Sequence, residues 1–111
     1  LEVDYDDDLS LVQTVVITCS GKSQIKVGGS SKTLTVSFYD ADGESIGYQS
    51  GSWDFTIDDT DASNLLTITS VSDDKVKVKF NGGDEYINKI LKVGFTSGSA
   101  KAYLDVEILP L

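Results

Sequence analysis

A chain of 111 residues, 40% of them hydrophobic, is sized for one domain around one core. Its 18 Asp and Glu against 9 basic residues, net charge −9, set it against phosphate backbones and anionic lipid heads, so no direct nucleic-acid binding is expected. No apolar run approaches the roughly 18 residues of a membrane-spanning helix, and no membrane insertion is expected. Histidine is absent, which removes the commonest general base, the commonest zinc ligand and every Ser-His or Cys-His pair. Cys19 is the one cysteine, so no internal disulfide can form. That fits assembly in a reducing cytoplasm or a bacterial family that dispenses with the bridge. Methionine is absent and residue 1 is leucine, which reads as a piece of a longer protein.

In chain order, residues 1–11 hold the acidic run Asp4-Tyr5-Asp6-Asp7-Asp8 and read as a linker from an upstream domain. Residues 12–111 read as the folded domain. Alternation over 13–19 predicts a first strand that places Cys19 inward with Val15 and Ile17. Gln24–Val27 reads as a short edge piece, closed by Gly28-Gly29-Ser30-Ser31. Over 33–40, Leu34, Val36 and Phe38 face one way and Thr33, Thr35, Ser37 and Tyr39 the other. Asp40-Ala41-Asp42-Gly43 turns the chain. Over 52–57, Trp53, Phe55 and Ile57 share a face. Residues 61–66 allow a single helical turn. Residues 65–70 and 75–80 predict a hairpin across Ser72-Asp73-Asp74, with Val76, Val78 and Phe80 inward and Lys75, Lys77 and Lys79 outward. Asn81-Gly82-Gly83-Asp84 turns again. Residues 90–96 place Leu91, Val93 and Phe95 inward. Ser97-Gly98-Ser99 leads into 100–109, with Ala102, Leu104, Val106 and Ile108 inward. Seven or eight strands, each burying one face, predict an all-β two-sheet antiparallel sandwich with Greek-key connections.

The order of features resembles bacterial and phage immunoglobulin-like domains of the Big-like kind over residues 13–109. The residues that carry it are Ile25-Lys26-Val27-Gly28-Gly29, the alternating strand Leu34–Tyr39, Asp40-Ala41-Asp42-Gly43 and Trp53. With Tyr86-Ile87-Asn88-Lys89 before the Leu91 strand, and the closing alternating strand, it is most similar to the domain appended to virion structural proteins of tailed phages and prophages of Gram-positive bacteria. Related domains often have an Ile-Gly-Lys-like step where this chain has Ile87-Asn88-Lys89.

Two sets of residues are candidates for function. Asp40 and Asp42, with Asp58, Asp59 and Asp61, cluster in loops, and clustered carboxylates are what calcium takes. The EF-hand pattern is not met, since the twelfth position from Asp40 is Gly51, and Asp with Gly also makes tight turns. No cofactor is expected, the turn reading being favoured, with calcium the one candidate these carboxylates leave open. Tyr39, Tyr48, Tyr86 and Tyr103 fall on outward positions or in loops, where tyrosines stack on sugars, anchor protein interfaces or simply cover strand neighbours. The lysine stripe reads as a solvated face or a guard on an edge strand. Gly28-Gly29-Ser30-Ser31-Lys32 lacks the spacing and the helix of a phosphate-binding loop.

The resemblance implies a non-enzymatic accessory module of a virion protein from capsid, neck or tail, assembled in the bacterial cytoplasm. It would contact other virion proteins and hold weakly to bacterial-surface carbohydrate. The alternatives are a repeat of a bacterial adhesin or cell-wall protein, located at the cell surface and contacting surface proteins, or a non-catalytic carbohydrate- or calcium-binding module of a secreted enzyme.

Overall fold

The computed structural model describes residues 13–111; the acidic segment read as a linker lies outside them. The strands are β1 (Thr14–Cys19), β2 (Gln24–Lys26), β3 (Lys32–Tyr39), β4 (Ser45–Ile46), β5 (Ser52–Ile57), β6 (Thr60–Asp61), β7 (Leu66–Ser72), β8 (Lys75–Phe80), β9 (Ile90–Ser97) and β10 (Ala100–Leu109). Two single 3-10 turns, Ser63–Leu65 and Asp84–Tyr86, complete the inventory, and no α-helix occurs among the described residues. The first falls where the sequence allows a helical turn.

The strands form two sheets. Sheet I runs β2-β10-β9-β5-β6, and sheet II runs β1-β3-β8-β7, with β4 added to the end of β3. The protein is therefore all-β with a two-layer arrangement. Among the described residues ten strands stand where seven or eight were expected, because β4 and β6 are two-residue extensions beside turns, too short to show alternation. The expected antiparallel pairing also needs one correction. β2 pairs parallel to β10, with Ile25 opposite Ile108, because the chain leaves sheet II after β1 and re-enters on the edge of sheet I.

Alternation decides what lies between the sheets. Leu34, Val36 and Phe38 of β3, and Val76, Val78 and Phe80 of β8, are buried from one side. Phe55 and Ile57 of β5, Leu91, Val93 and Phe95 of β9, and Val106 and Ile108 of β10 are buried from the other. Ala102 and Leu104 are half-buried against the same core. Phe95 joins the layers: its ring meets Phe38 of sheet II edge-on at 5.8 Å and Trp53 of sheet I edge-on at 5.0 Å. Trp53 is inward but only partly buried. Gly51 lets this cluster close, since a methyl there would run into the Phe95 ring and the Thr96 carbonyl oxygen. Ser97 is a buried polar residue, and its hydroxyl donates to the Ser50 carbonyl at 2.8 Å.

Cys19 differs from the expected buried position. It is half-buried at the end of β1, where the chain begins to cross between sheets, and its thiol approaches the carbonyls of Ser20 and Lys22 at 3.6 and 3.7 Å. Burial pushes its pKa up, with nearby Lys32 and a backbone hydrogen bond pulling the other way. The hairpin β7–β8 also differs at its turn. Ser72 pairs with Lys75, leaving Asp73-Asp74 as the loop, and Val71 is the extra residue of a bulge.

Candidate contact face

In the acidic loops Asp40 and Asp61 turn their carboxylates on nearby backbone N–H groups. Asp40 Oδ1 accepts from the backbone N–H groups of Asp42 and Glu44 at 2.9 and 3.0 Å, while Gly43 N–H donates to the Asp40 carbonyl. This is an Asx turn that fixes the β3–β4 reversal, with Gly43 at φ 81°. Asp58 and Asp59 form the two-residue loop between the paired Ile57 and Thr60, at φ 52° and 63°. Both residues in left-handed backbone is the signature of a type I′ hairpin turn, which Asp tolerates better than most residues. Asp58 Oδ2 accepts from Lys89 Nζ at 2.7 Å, and that contact raises the lysine's pKa. Asp61 takes the Ser63 hydroxyl at 3.0 Å and its N–H at 3.3 Å, at the start of the first 3-10 turn. Among the described residues no three acidic, cysteine or histidine side chains form a group that could hold a metal ion.

The four tyrosines separate. Tyr39 is half-buried on the outer side of β3. Tyr48 is exposed in the loop after β4 and meets Phe38 edge-on at 5.5 Å. Tyr86 is half-buried in the second 3-10 turn, packed edge-on to Phe80 at 5.6 Å over Gly82, so it serves the core. Tyr103 is 54% exposed in the middle of β10, on the outer face of sheet I.

The register explains the setting of Tyr103. Gly94 of β9 stands directly opposite, and Asp54 of β5 stands opposite Gly94. With no side chain at 94, the tyrosine ring lies across the glycine: a Cβ there would come within 3.2 Å of Tyr103 Cε1. Lys92 and Lys101 bring their ammonium groups to 5.4 and 5.5 Å from the ring centroid. The neighbouring Tyr103 raises the pKa of Lys101.

Next to this ring the same face has a shallow groove of about 260 Å³ lined by Thr56, Asp58, Asp59, Ile90, Lys92 and Asp105. The structure thus brings Asp58 and Asp59 to one side of the groove and Tyr103 close by through Lys92, whereas Asp40, Asp42 and Tyr48 belong to the β3–β4 reversal and its following loop. Alternation marks Tyr103 as outward. Only the pairing of β9 with β10 shows that it stands over Gly94.

The chain matches no protein-family model and no characterised protein sequence.

Proposed function

We propose that this chain is an immunoglobulin-like, non-catalytic accessory module of a tailed-phage or prophage virion structural protein, holding bacterial-surface carbohydrate through the outer face of sheet I. The observation that carries the adhesive reading is Tyr103. An exposed aromatic ring packed against Gly94, with two ammonium groups over it and Asp54 in register with that glycine, combines a stacking surface with hydrogen-bonding groups. That combination suits a pyranose ring, whose C–H face stacks and whose hydroxyls need donors and acceptors.

The immunoglobulin-like assignment draws support from strand order. β1-β3-β8-β7 matches the A-B-E-D sheet of such sandwiches, and β10-β9-β5 matches G-F-C. On that correspondence β2 is the second half of a divided first strand. Trp53 then occupies strand C, and Phe38 of strand B meets Phe95 of strand F, where antibody domains place a disulfide. The virion context rests on the motif resemblance of residues 13–109.

The test is binding of the full chain to purified Gram-positive cell-wall polysaccharide, wild type against Tyr103→Ala and Tyr48→Ala. The proposal expects Tyr103→Ala to lose binding and Tyr48→Ala to keep it. Equal binding by all three, or none by the wild type, overturns the adhesive reading.

A further inference from the structure

The corner where the chain crosses from sheet II to sheet I holds a recess of about 240 Å³ lined by Gln24, Lys26, Ser30 and Lys32. It lies apart from the core and from the Tyr103 face. Its lining comes from β2, from the first residue of β3 and from the loop between them.

That loop explains how the lining converges. Gly29 N–H donates to the Lys26 carbonyl at 3.0 Å, with Gly28 at φ 68° between them, the place where a type II turn wants glycine. Lys79 Nζ donates to the Gly29 carbonyl at 2.7 Å and ties the turn to β8. The chain doubles back, and Ser30 and Lys32 return beside Lys26. Gly28-Gly29-Ser30-Ser31-Lys32 opens no helix, yet its turn brings a hydroxyl and an ammonium into one recess.

Lys32 shares the inward parity of Leu34, Val36 and Phe38 and is half-buried. Its Nζ donates to the Ser20 and Lys22 carbonyls at 3.3 Å each, which uses two of an ammonium's three N–H groups. The ion pairs among the described residues are Lys75–Asp74 and Lys89–Asp58, so within them the charges of Lys26 and Lys32 stay unneutralised. Glu107, opposite Gln24 in register, accepts from the Gln24 side-chain amide at 3.4 Å and does not line the recess.

We propose that this recess binds a phosphate group, as the free ion or as a small monoester. Two ammonium groups, a hydroxyl and an amide supply donors from several sides, which suits a tetrahedral oxyanion. A planar carboxylate is best matched by the guanidinium fork, and all nine basic residues of this chain are lysine. The volume is smaller than that of a pocket for a drug-sized ligand and fits a compact group. The net charge of −9 opposes approach, but at roughly 0.15 M salt the screening length is about 8 Å, so the adjacent ammonium groups outweigh distant carboxylates. The site stands independently of any carbohydrate held at Tyr103.

The experiment is an amide-resolved NMR titration of the full chain with inorganic phosphate and, separately, with glycerol 3-phosphate, each against sodium chloride at equal ionic strength. The expected result is a saturable shift confined to residues 20–32. Lys26→Gln, at an exposed position, weakens binding about tenfold, the low end for a hydrogen bond to a charged group. Ser30→Ala weakens it less. Lys77→Gln, on the outer face of β8, leaves the affinity unchanged and the unfolding midpoint close to wild type. Tighter binding of glycerol 3-phosphate supports the monoester, and tighter binding of inorganic phosphate supports the free ion. The proposal is overturned by shifts that chloride reproduces, by shifts spread over all the lysines, or by an affinity indifferent to Lys26→Gln.

Discussion

The outer faces of the two sheets obey the same alternation and carry opposite chemistry. Sheet I mixes Asp54, Asp105 and Glu107 with Lys92, Lys101 and the Tyr103 platform. Among the described residues, the strands of sheet II present Thr, Ser and lysine and contain no carboxylate. A net charge of −9 is therefore not a uniform coat. The difference teaches that whole-chain charge describes solubility and long-range repulsion, while strand-by-strand placement decides what each face can meet. Among the described residues the domain has one mixed, aromatic face suited to a polar ligand and one cationic, hydroxyl-rich face.

What both faces share is the layer beneath them, and the largest effect is expected there. Phe95→Ala removes the ring that joins Phe38 to Trp53 across the sheets, at a site 1% exposed. The expected loss is about 3–5 kcal/mol, read as a shift in the urea midpoint at constant slope. A loss near 1 kcal/mol would mean that the two layers are not coupled through this cluster.

The next effect sharpens the reading of the acidic loops on the side of sheet I. Asp59 sits at φ 63°, and left-handed backbone costs a non-glycine residue roughly 1–2 kcal/mol. Glycine removes that strain but loses roughly 0.5–1 kcal/mol more chain entropy on folding. Asp59→Gly is therefore expected to stabilise by roughly 0.5–1 kcal/mol in thermal unfolding, as a turn residue would. Destabilisation, or a calcium-dependent rise in the wild-type midpoint beyond a magnesium control, would mean that this carboxylate does more than turn the chain.

On the outer face of sheet I, Tyr103→Ala uncovers Gly94 and is expected to cost less than about 1 kcal/mol, within the range of cross-strand pairs. A larger cost would make Tyr103 chiefly a structural cover for the glycine and weaken its use as a stacking surface.

The core was legible in the sequence because period two is a strong signal over five residues or more. Leu34–Phe38, Val76–Phe80 and Leu91–Phe95 were placed inward by alternation alone, and the structure buries all three sets. The lysine stripe of β8 was legible for the same reason. β4 and β6 were not, since two residues carry no period. The parallel seat of β2 beside β10 depends on a partner 83 residues away in the pair Gln24 and Glu107, which no local pattern encodes. The candidate contact face was half legible. Tyr103 could be read as outward, but its seat over Gly94 and its neighbour Asp54 come from register across three strands. The carboxylate clusters are ambiguous in the sequence because Asp serves turns and metals alike. Which N–H groups Asp40 caps is a matter of backbone geometry.

The smallest expected effect lies where the chain passes from sheet II to sheet I. Cys19 ends β1 half-buried, and loss of solvent around the thiol raises its pKa above the ordinary value of 9.0. Lys32 lowers it in part, so the net shift reflects burial winning over charge. A raised acid pKa means that the folded state holds its proton more tightly than the unfolded state. The associated stability is complete below pH 9.0 and is lost as pH rises from there through the folded value. The thiolate is the nucleophile, so iodoacetamide at pH 8.5 should modify Cys19 more slowly than a free cysteine. Urea that unfolds the chain should abolish the difference. If Cys19 reacts as fast as, or faster than, the free thiol, the Lys32 ammonium governs this corner. The strand crossing between the two sheets would then be open to solvent rather than sealed.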